Sequence, residues 1–214
     1  MIITKPKTDE ELQEALAPFK KLVVVGCGTC ATLCQTGGDE QVKEMVQKLT
    51  DWGKEVTGSI VIETPCDLRI DRRDLKRIGD AVNEADALLV MSCGVGVQTV
   101  AEASNKITLA ALDTVFIGQV ERIGRFYERC RACGECILNE TGGICPITRC
   151  AKHLLNGPCG GMHEGKCEVG EDRDCAWVLI WKRLKEQGRE ELFTKFRPPR
   201  DYSIKSEPVE IIWK

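Results

Sequence analysis

Thirteen cysteines in 214 residues limit what this chain can fold into more than any other feature. The densest stretch, CRACGECILNETGGICP at residues 130–146, spaces Cys130, Cys133 and Cys136 three apart and follows Cys145 with a proline. The start, MIITKPKTDEELQEALAPFKK, lacks the apolar region of a secretory leader, so a cytoplasmic setting is expected. A reducing cytosol does not maintain structural disulfides, and the number of thiols is odd. A free thiol packed into a core explains any single cysteine. It fails for thirteen, because most lie in Gly-rich, polar loops. The set as a whole reads as metal-binding.

Composition narrows the partners. The hydrophobic fraction of 43% is enough for a folded core. The net charge of -3 comes with no basic stripe, which argues against nucleic acid and against an anionic membrane surface. No apolar run is long enough to span a bilayer.

Residues 1–120 read as an α/β domain. Thr8 and Glu11 make a capping box for a first helix that ends near Pro18. KLVVVG (21–26), GSIVIE (58–63), DALLVM (86–91) and DTVFIG (113–118) have the length and apolar character of buried strands. Helical spacing connects them at 38–53, 71–85 and 97–104, with Gly53 as a C-cap. Strands buried on both faces and joined by helices imply a small parallel four-stranded sheet with right-handed crossovers.

The pattern stops near 121. Residues 130–175 hold ten apolar residues other than cysteine and eight glycines, too few to build a core. Metal–thiolate bonds can replace that core, and folding then depends on the metal. The segment 121–175 is therefore expected to be a Cys-rich iron–sulfur module. Residues 176–214 are expected to form a C-terminal helix, with Trp177, Ile180, Trp181 and Leu184 on one face, and an extended docking arm. Phe193, Phe196, Tyr202, Ile211, Ile212 and Trp213 would be the arm's anchors; the alternative is an arm folded back over the α/β domain.

The thiols fall into two sets. Cys27, Cys66 and Cys93 each follow one of the first three strands, and Cys30 and Cys34 lie just beyond Cys27. Ligands gather at the carboxyl edge of an open parallel sheet, so all five are delivered to one place. C-x2-C-x3-C with a distant fourth thiol suits a [4Fe-4S] cluster, with one of the five spare. GCGTCA (26–31) also has the spacing of a dinucleotide fingerprint, but cysteines occupy the loop that a pyrophosphate would need.

The second set is Cys130, Cys133, Cys136, Cys145, Cys150, Cys159, Cys167 and Cys175. The first three with a later Cys-Pro resemble the bacterial ferredoxin run, although eight residues rather than three separate Cys136 from Cys145. The simplest partition gives the triplet one later thiol and leaves four for a second site. Zinc competes with iron–sulfur for either quartet, more strongly for Cys150, Cys159, Cys167 and Cys175. His153 and His163, the only histidines, could each replace a cysteine on zinc; a surface or supporting position is the simpler reading.

The motifs GCGTCATLCQTGG, SCGVGVQTVAE, CRACGECILNETGGICPITRCAKHLLNGPCGG, and KCEV ahead of CAW resemble the methylenetetrahydrofolate reductase C-terminal domain family. The resemblance implies a stand-alone small subunit with two or three [4Fe-4S] clusters, and zinc possible at one C-terminal site. It implies a partner too: the flavin-containing methylenetetrahydrofolate reductase subunit, MetF, which does the folate chemistry, possibly alongside further electron-donor subunits. This chain would then relay electrons and carry no catalytic residue. Two histidines and no paired-carboxylate or P-loop signature agree with that. The rival readings are a relay of another anaerobic redox complex, such as a corrinoid methyltransferase activator, and a zinc-stapled structural adaptor.

Overall fold

The apolar run after Lys20 forms the centre of a parallel sheet in the computed structural model of the chain, which describes residues 1–205 and 209–212. The elements of the first part, in order, are β1 (Ile2–Pro6), α1 (Asp9–Leu16), β2 (Lys21–Cys27), α2 (Cys30–Leu33) and α3 (Asp39–Asp51), then β3 (Glu55–Ile62), α4 (Leu68–Arg77), α5 (Gly79–Glu84), β4 (Ala87–Met91) and α6 (Gly94–Ser104), and last β5 (Ile107–Ala110), β6 (Leu112–Arg122) and β7 (Arg125–Cys130). They build one unit, residues 1–127; residues 128–214 build a second.

The four-stranded parallel sheet has the order β3-β2-β4-β5. Alternation along its strands sorts two cores. Leu22, Val24 and Leu89 meet Leu12 and Leu16 of α1 and Val42 and Leu49 of α3 on one face. Val23, Val25, Leu88 and Val90 meet Leu75 of α4, Val82 of α5 and Val100 of α6 on the other. Burial on both faces is why these strands read as continuous apolar runs. The capping box of α1 is present, with Thr8 accepting from the Glu11 amide and Glu11 from the Thr8 amide. The chain turns out of α3 at Gly53, whose φ of +76° only glycine adopts freely.

Three local expectations change. The fourth parallel strand is Ile107–Ala110, not 113–118. The latter lies in β6, which pairs antiparallel with β1 in a separate three-stranded sheet of order β1-β6-β7. LAALDTVFIG carries no Gly or Pro at the place where the chain changes sheets, so periodicity shows only one run. The expected 71–85 helix begins three residues earlier, capped by the Asp67 carboxylate on the Arg69 amide, and breaks at Ile78 into α4 and α5.

The second unit has little regular structure: α7 (Pro146–Arg149), the hairpin of β8 (Lys166–Cys167) and β9 (Gly170–Asp174), and α8 (Ala176–Glu186). Its apolar core is small: Trp177, Ile180 and Leu184 of α8, with Cys175, packed by Ile144, Leu154, Met162 and Phe193. Residues 189–200 are not an extended arm. A short 3-10 turn at Glu190–Thr194 sets Phe193 edge-on to Trp177 at 5.8 Å and to Trp181 at 5.2 Å. Arg197 is buried at 5% exposure and binds the Glu140 carboxylate at 2.9 Å. Phe196, Tyr202, Ile211 and Ile212 are exposed. Trp213, the last anchor expected from the sequence, lies outside the described residues. Among the described residues no helix is long and apolar enough to cross a membrane.

Candidate metal centres

Each of the three strands β2, β3 and β4 runs into a cysteine at its carboxyl end. Cys27 is the last residue of β2, Cys30 opens α2, Cys66 immediately precedes the N-cap of α4, and Cys93 is the N-cap of α6. The strand order makes this edge a crevice. The chain leaves β2 toward β3 and leaves β4 toward β5, so the connections part above β2 and β4. The Gly28 amide bonds the Ile62 carbonyl at 2.8 Å, which draws the Cys27–Cys30 loop over the end of β3. A Cβ on Gly28 would stand 3.0 Å from the Glu63 Cα, so this glycine serves the packing of loop on strand rather than the approach of a phosphate.

Electrostatics identify which thiols meet. Cys66 is pushed up from the usual thiol range, first by desolvation and next by Cys93, with Cys27 and Cys30 adding to the shift against a backbone hydrogen bond. Cys93, Cys27 and Cys30 therefore stand within reach of a charge on Cys66. Cys34 is not among them. Its S–H points to the Ile2 carbonyl at 3.8 Å, while the Ile2 amide donates to the Cys30 sulfur at 3.5 Å. Cys34 is held on β1. Four thiolates crowded together repel unless a cationic core neutralises them. Cys93 lies at the positive end of an eleven-residue helix, the Ile2 amide donates to the Cys30 sulfur, and the Thr29 hydroxyl lies 3.5 Å from the Cys27 sulfur. This donor set fits an iron–sulfur cubane, which takes four thiolates.

In the second unit the triplet loop is shaped by two residues of positive φ, Ala132 at +49° and Gly134 at +81°. That conformation turns amides inward, and the Ala132 N–H reaches the Cys130 sulfur at 3.3 Å. Cys145 is the N-cap of α7, and that helix is tied to the residue before the triplet. The Thr148 hydroxyl is shared between the Arg129 carbonyl at 3.3 Å and the Cys145 carbonyl at 3.4 Å. His153 braces the same join. Arg131 can only donate, so the His153 Nε2 accepts from it at 3.1 Å and Nδ1–H donates to the Ile147 carbonyl at 2.6 Å. Both ring nitrogens are used within the protein, which places His153 in a supporting position. His163 pairs through its backbone with Lys166, on the turn before β8.

The remaining four cysteines converge as well. Cys150, Cys159, Cys167 and Cys175 line one cavity with Leu154, Met162 and Trp177. Its volume is about 20 Å3, the room of roughly one water-sized sphere rather than of an eight-atom cubane. The Cys159 thiol donates to Glu168 at 3.2 Å, and Glu168 is paired with Lys152 at the cavity's edge. The Trp177 indole N–H binds the Leu154 carbonyl at 3.0 Å, which fixes the apolar wall. Among the described residues, no three His, Cys, Asp or Glu side chains already stand in the shell of a single ion.

The sequence motifs pointed to the thiols but not to their polar neighbours. Lys152 and Glu168 carry no motif, and Arg197 and Arg200 lie in the segment expected to be a docking arm. The prolines between those two arginines were the only local sign of an ordered segment.

A parallel-sheet domain with thiols at its switch point, joined to a Cys-rich unit with little apolar core, defines a thiol-rich α/β protein. Residues 109–203 match the model of the family described as Methylene-tetrahydrofolate reductase C terminal, the family that the motifs resemble. The match spans less than half of the chain; it takes in all eight C-terminal cysteines and leaves the five N-terminal ones outside. No curated protein and no solved structure matches the chain.

Proposed function

We propose that this chain is the iron–sulfur electron-transfer subunit of a methylenetetrahydrofolate reductase complex. It would relay electrons to or from the flavin of a partner subunit that reduces methylenetetrahydrofolate to methyltetrahydrofolate. The observation that carries this reading is the placement of Cys27, Cys66 and Cys93 after three neighbouring strand ends, with Cys30 beside Cys27, at one edge of the sheet. The family match supports the choice of partner.

In this reading Cys27, Cys30, Cys66 and Cys93 hold one [4Fe-4S] cluster, and Cys130, Cys133, Cys136 and Cys145 hold a second. Such clusters, when bound, accept and release single electrons. The chain's own residues set the conditions. Helix α6 favours negative charge at Cys93, the Ile2 and Ala132 amides soften the charge on Cys30 and Cys130, and the buried β2–β4 edge limits water. Cys150, Cys159, Cys167 and Cys175 suit a single zinc ion, because their cavity has the volume of one ion and its walls are apolar. Zinc there would tie the β8–β9 hairpin to the start of α8 and supplement the small core around Trp177.

The test is a transfer reaction. The chain, purified without oxygen and reduced with one equivalent of dithionite, is freed of excess reductant and mixed with the flavin-bearing reductase. Bleaching of the flavin in step with reoxidation of this chain is expected. A flavin that stays oxidised while the chain stays reduced rejects the electron-relay role in this complex, and transfer to a corrinoid activase instead would favour the rival redox partner.

A further inference from the structure

The segment after the buried Arg197 does not leave the Cys-rich unit. It crosses the triplet loop. The Arg200 guanidinium donates through Nη2 to the Cys133 carbonyl at 3.2 Å and to the Glu135 carbonyl at 3.1 Å. Ile204 lies against the same loop, its Cγ2 3.2 Å from where a Cβ on Gly134 would stand. The strap is anchored upstream. Arg197 binds Glu140 and the Leu155 and Lys195 carbonyls, exchanges two backbone–amide bonds of 2.8 Å with the Asn156 side chain, and lies over the Trp177 ring. Lys195 pairs with Glu140 as well.

One atom in this strap is unexplained. The Arg200 Nη1 is buried and has no hydrogen-bond partner among the described residues. A guanidinium carries five N–H donors, and a buried orphan among them is costly. The other end of the same group is tied to the loop between Cys133 and Cys136. A cluster held by Cys130, Cys133, Cys136 and Cys145, as proposed above, would bring thiolate and inorganic-sulfide acceptors to that loop.

We infer that Arg200 is a positioning residue for that cluster: it clamps the Cys133–Cys136 loop and sets a fixed positive charge beside it, which raises the cluster's reduction potential. This rests on the iron–sulfur reading of the triplet. Adding an electron makes the cluster more negative, so a nearby cation favours the reduced form. Removing one partly buried unit charge at such range is expected to change the equilibrium constant for one-electron reduction by about tenfold, ~59 mV.

The experiment is a potentiometric titration of the intact, anaerobically purified chain, followed by electron paramagnetic resonance. The signal that Cys133→Ser abolishes marks the triplet cluster. In Arg200→Gln that signal is expected to titrate at a potential lower by about the tenfold amount, while the other signal stays put. Arg200→Lys keeps the charge but loses the fork, so its potential should remain near wild type. An unshifted triplet signal in Arg200→Gln overturns the inference. Should Arg200→Gln shed iron, Arg200→Lys decides, and a fall as large as tenfold in that variant overturns it too. If the wild-type chain shows no signal that Cys133→Ser removes, the iron–sulfur reading of the triplet fails first, and the role of Arg200 fails with it.

Discussion

Asp71 of α4 is wholly buried, and neither carboxylate oxygen has a hydrogen-bond partner among the described residues. Desolvation pushes its pKa up to about 7, with Asp67 and Asp74 adding to the rise. An unfolded aspartate ionises near pH 4. Between these two values the folded state holds a proton that the unfolded state has lost, so stability falls as pH rises from about 4 to about 7 and then levels off. Asp71→Asn removes the titration. Its thermal midpoint should exceed wild type at pH 8, and the gain should shrink steadily toward pH 4. A gain independent of pH would show that Asp71 is not protonated in the fold. Nothing in the sequence marks this burial, because Asp71 opens the expected 71–85 helix beside Arg72, Arg73 and Asp74. The thiols were legible and their partition was not. Spacing left five candidates at the sheet edge, and only the hydrogen bond of Cys34 to the Ile2 carbonyl sets one apart. Cys34→Ser should therefore keep its full iron, whereas Cys93→Ser should lose the iron of one cluster. Equal loss in both would contradict the division.

At the scale of elements, the sheet was legible because strands buried on both faces produce long apolar runs, and helices with one apolar face produce the 3.6 period. The antiparallel sheet was not. Strand β1 is short and half exposed, and β6 continues from β5 with no turn residue to mark the change of partner. The C-terminal segment misled for a different reason. Its aromatics look alike in sequence, but Phe193 packs between two indoles while Phe196, three residues on, is 75% exposed. What decides is the Arg197 network, whose partners Glu140 and Asn156 are 57 and 41 residues away in the chain. Arg197→Ala removes a buried guanidinium from the partly exposed Glu140 carboxylate and the cover over Trp177. It should destabilise the second unit by about 3 kcal/mol, read as a lower melting midpoint of the metal-loaded chain. Phe196→Ala should leave that midpoint within about 0.5 kcal/mol of wild type. Similar losses in both would mean that the segment is not locked by Arg197.

For the whole molecule, the two units reach their sites by different physics. The first has two apolar cores and brings its thiols together through strand order alone. The second buries one small cluster around Trp177; in the proposed reading metal–thiolate bonds would supply the rest. The sequence foretold that contrast through the loss of apolar residues after 129. It did not foretell that the last four cysteines line one small cavity, since their spacing is compatible with zinc and iron alike. The central claim is a count. Metal and acid-labile sulfide analysis of the chain, purified without oxygen, should find about eight iron, about eight sulfide and about one zinc. A chain that carries zinc alone, with no sulfide, would contradict the account and leave a zinc-stapled adaptor in its place.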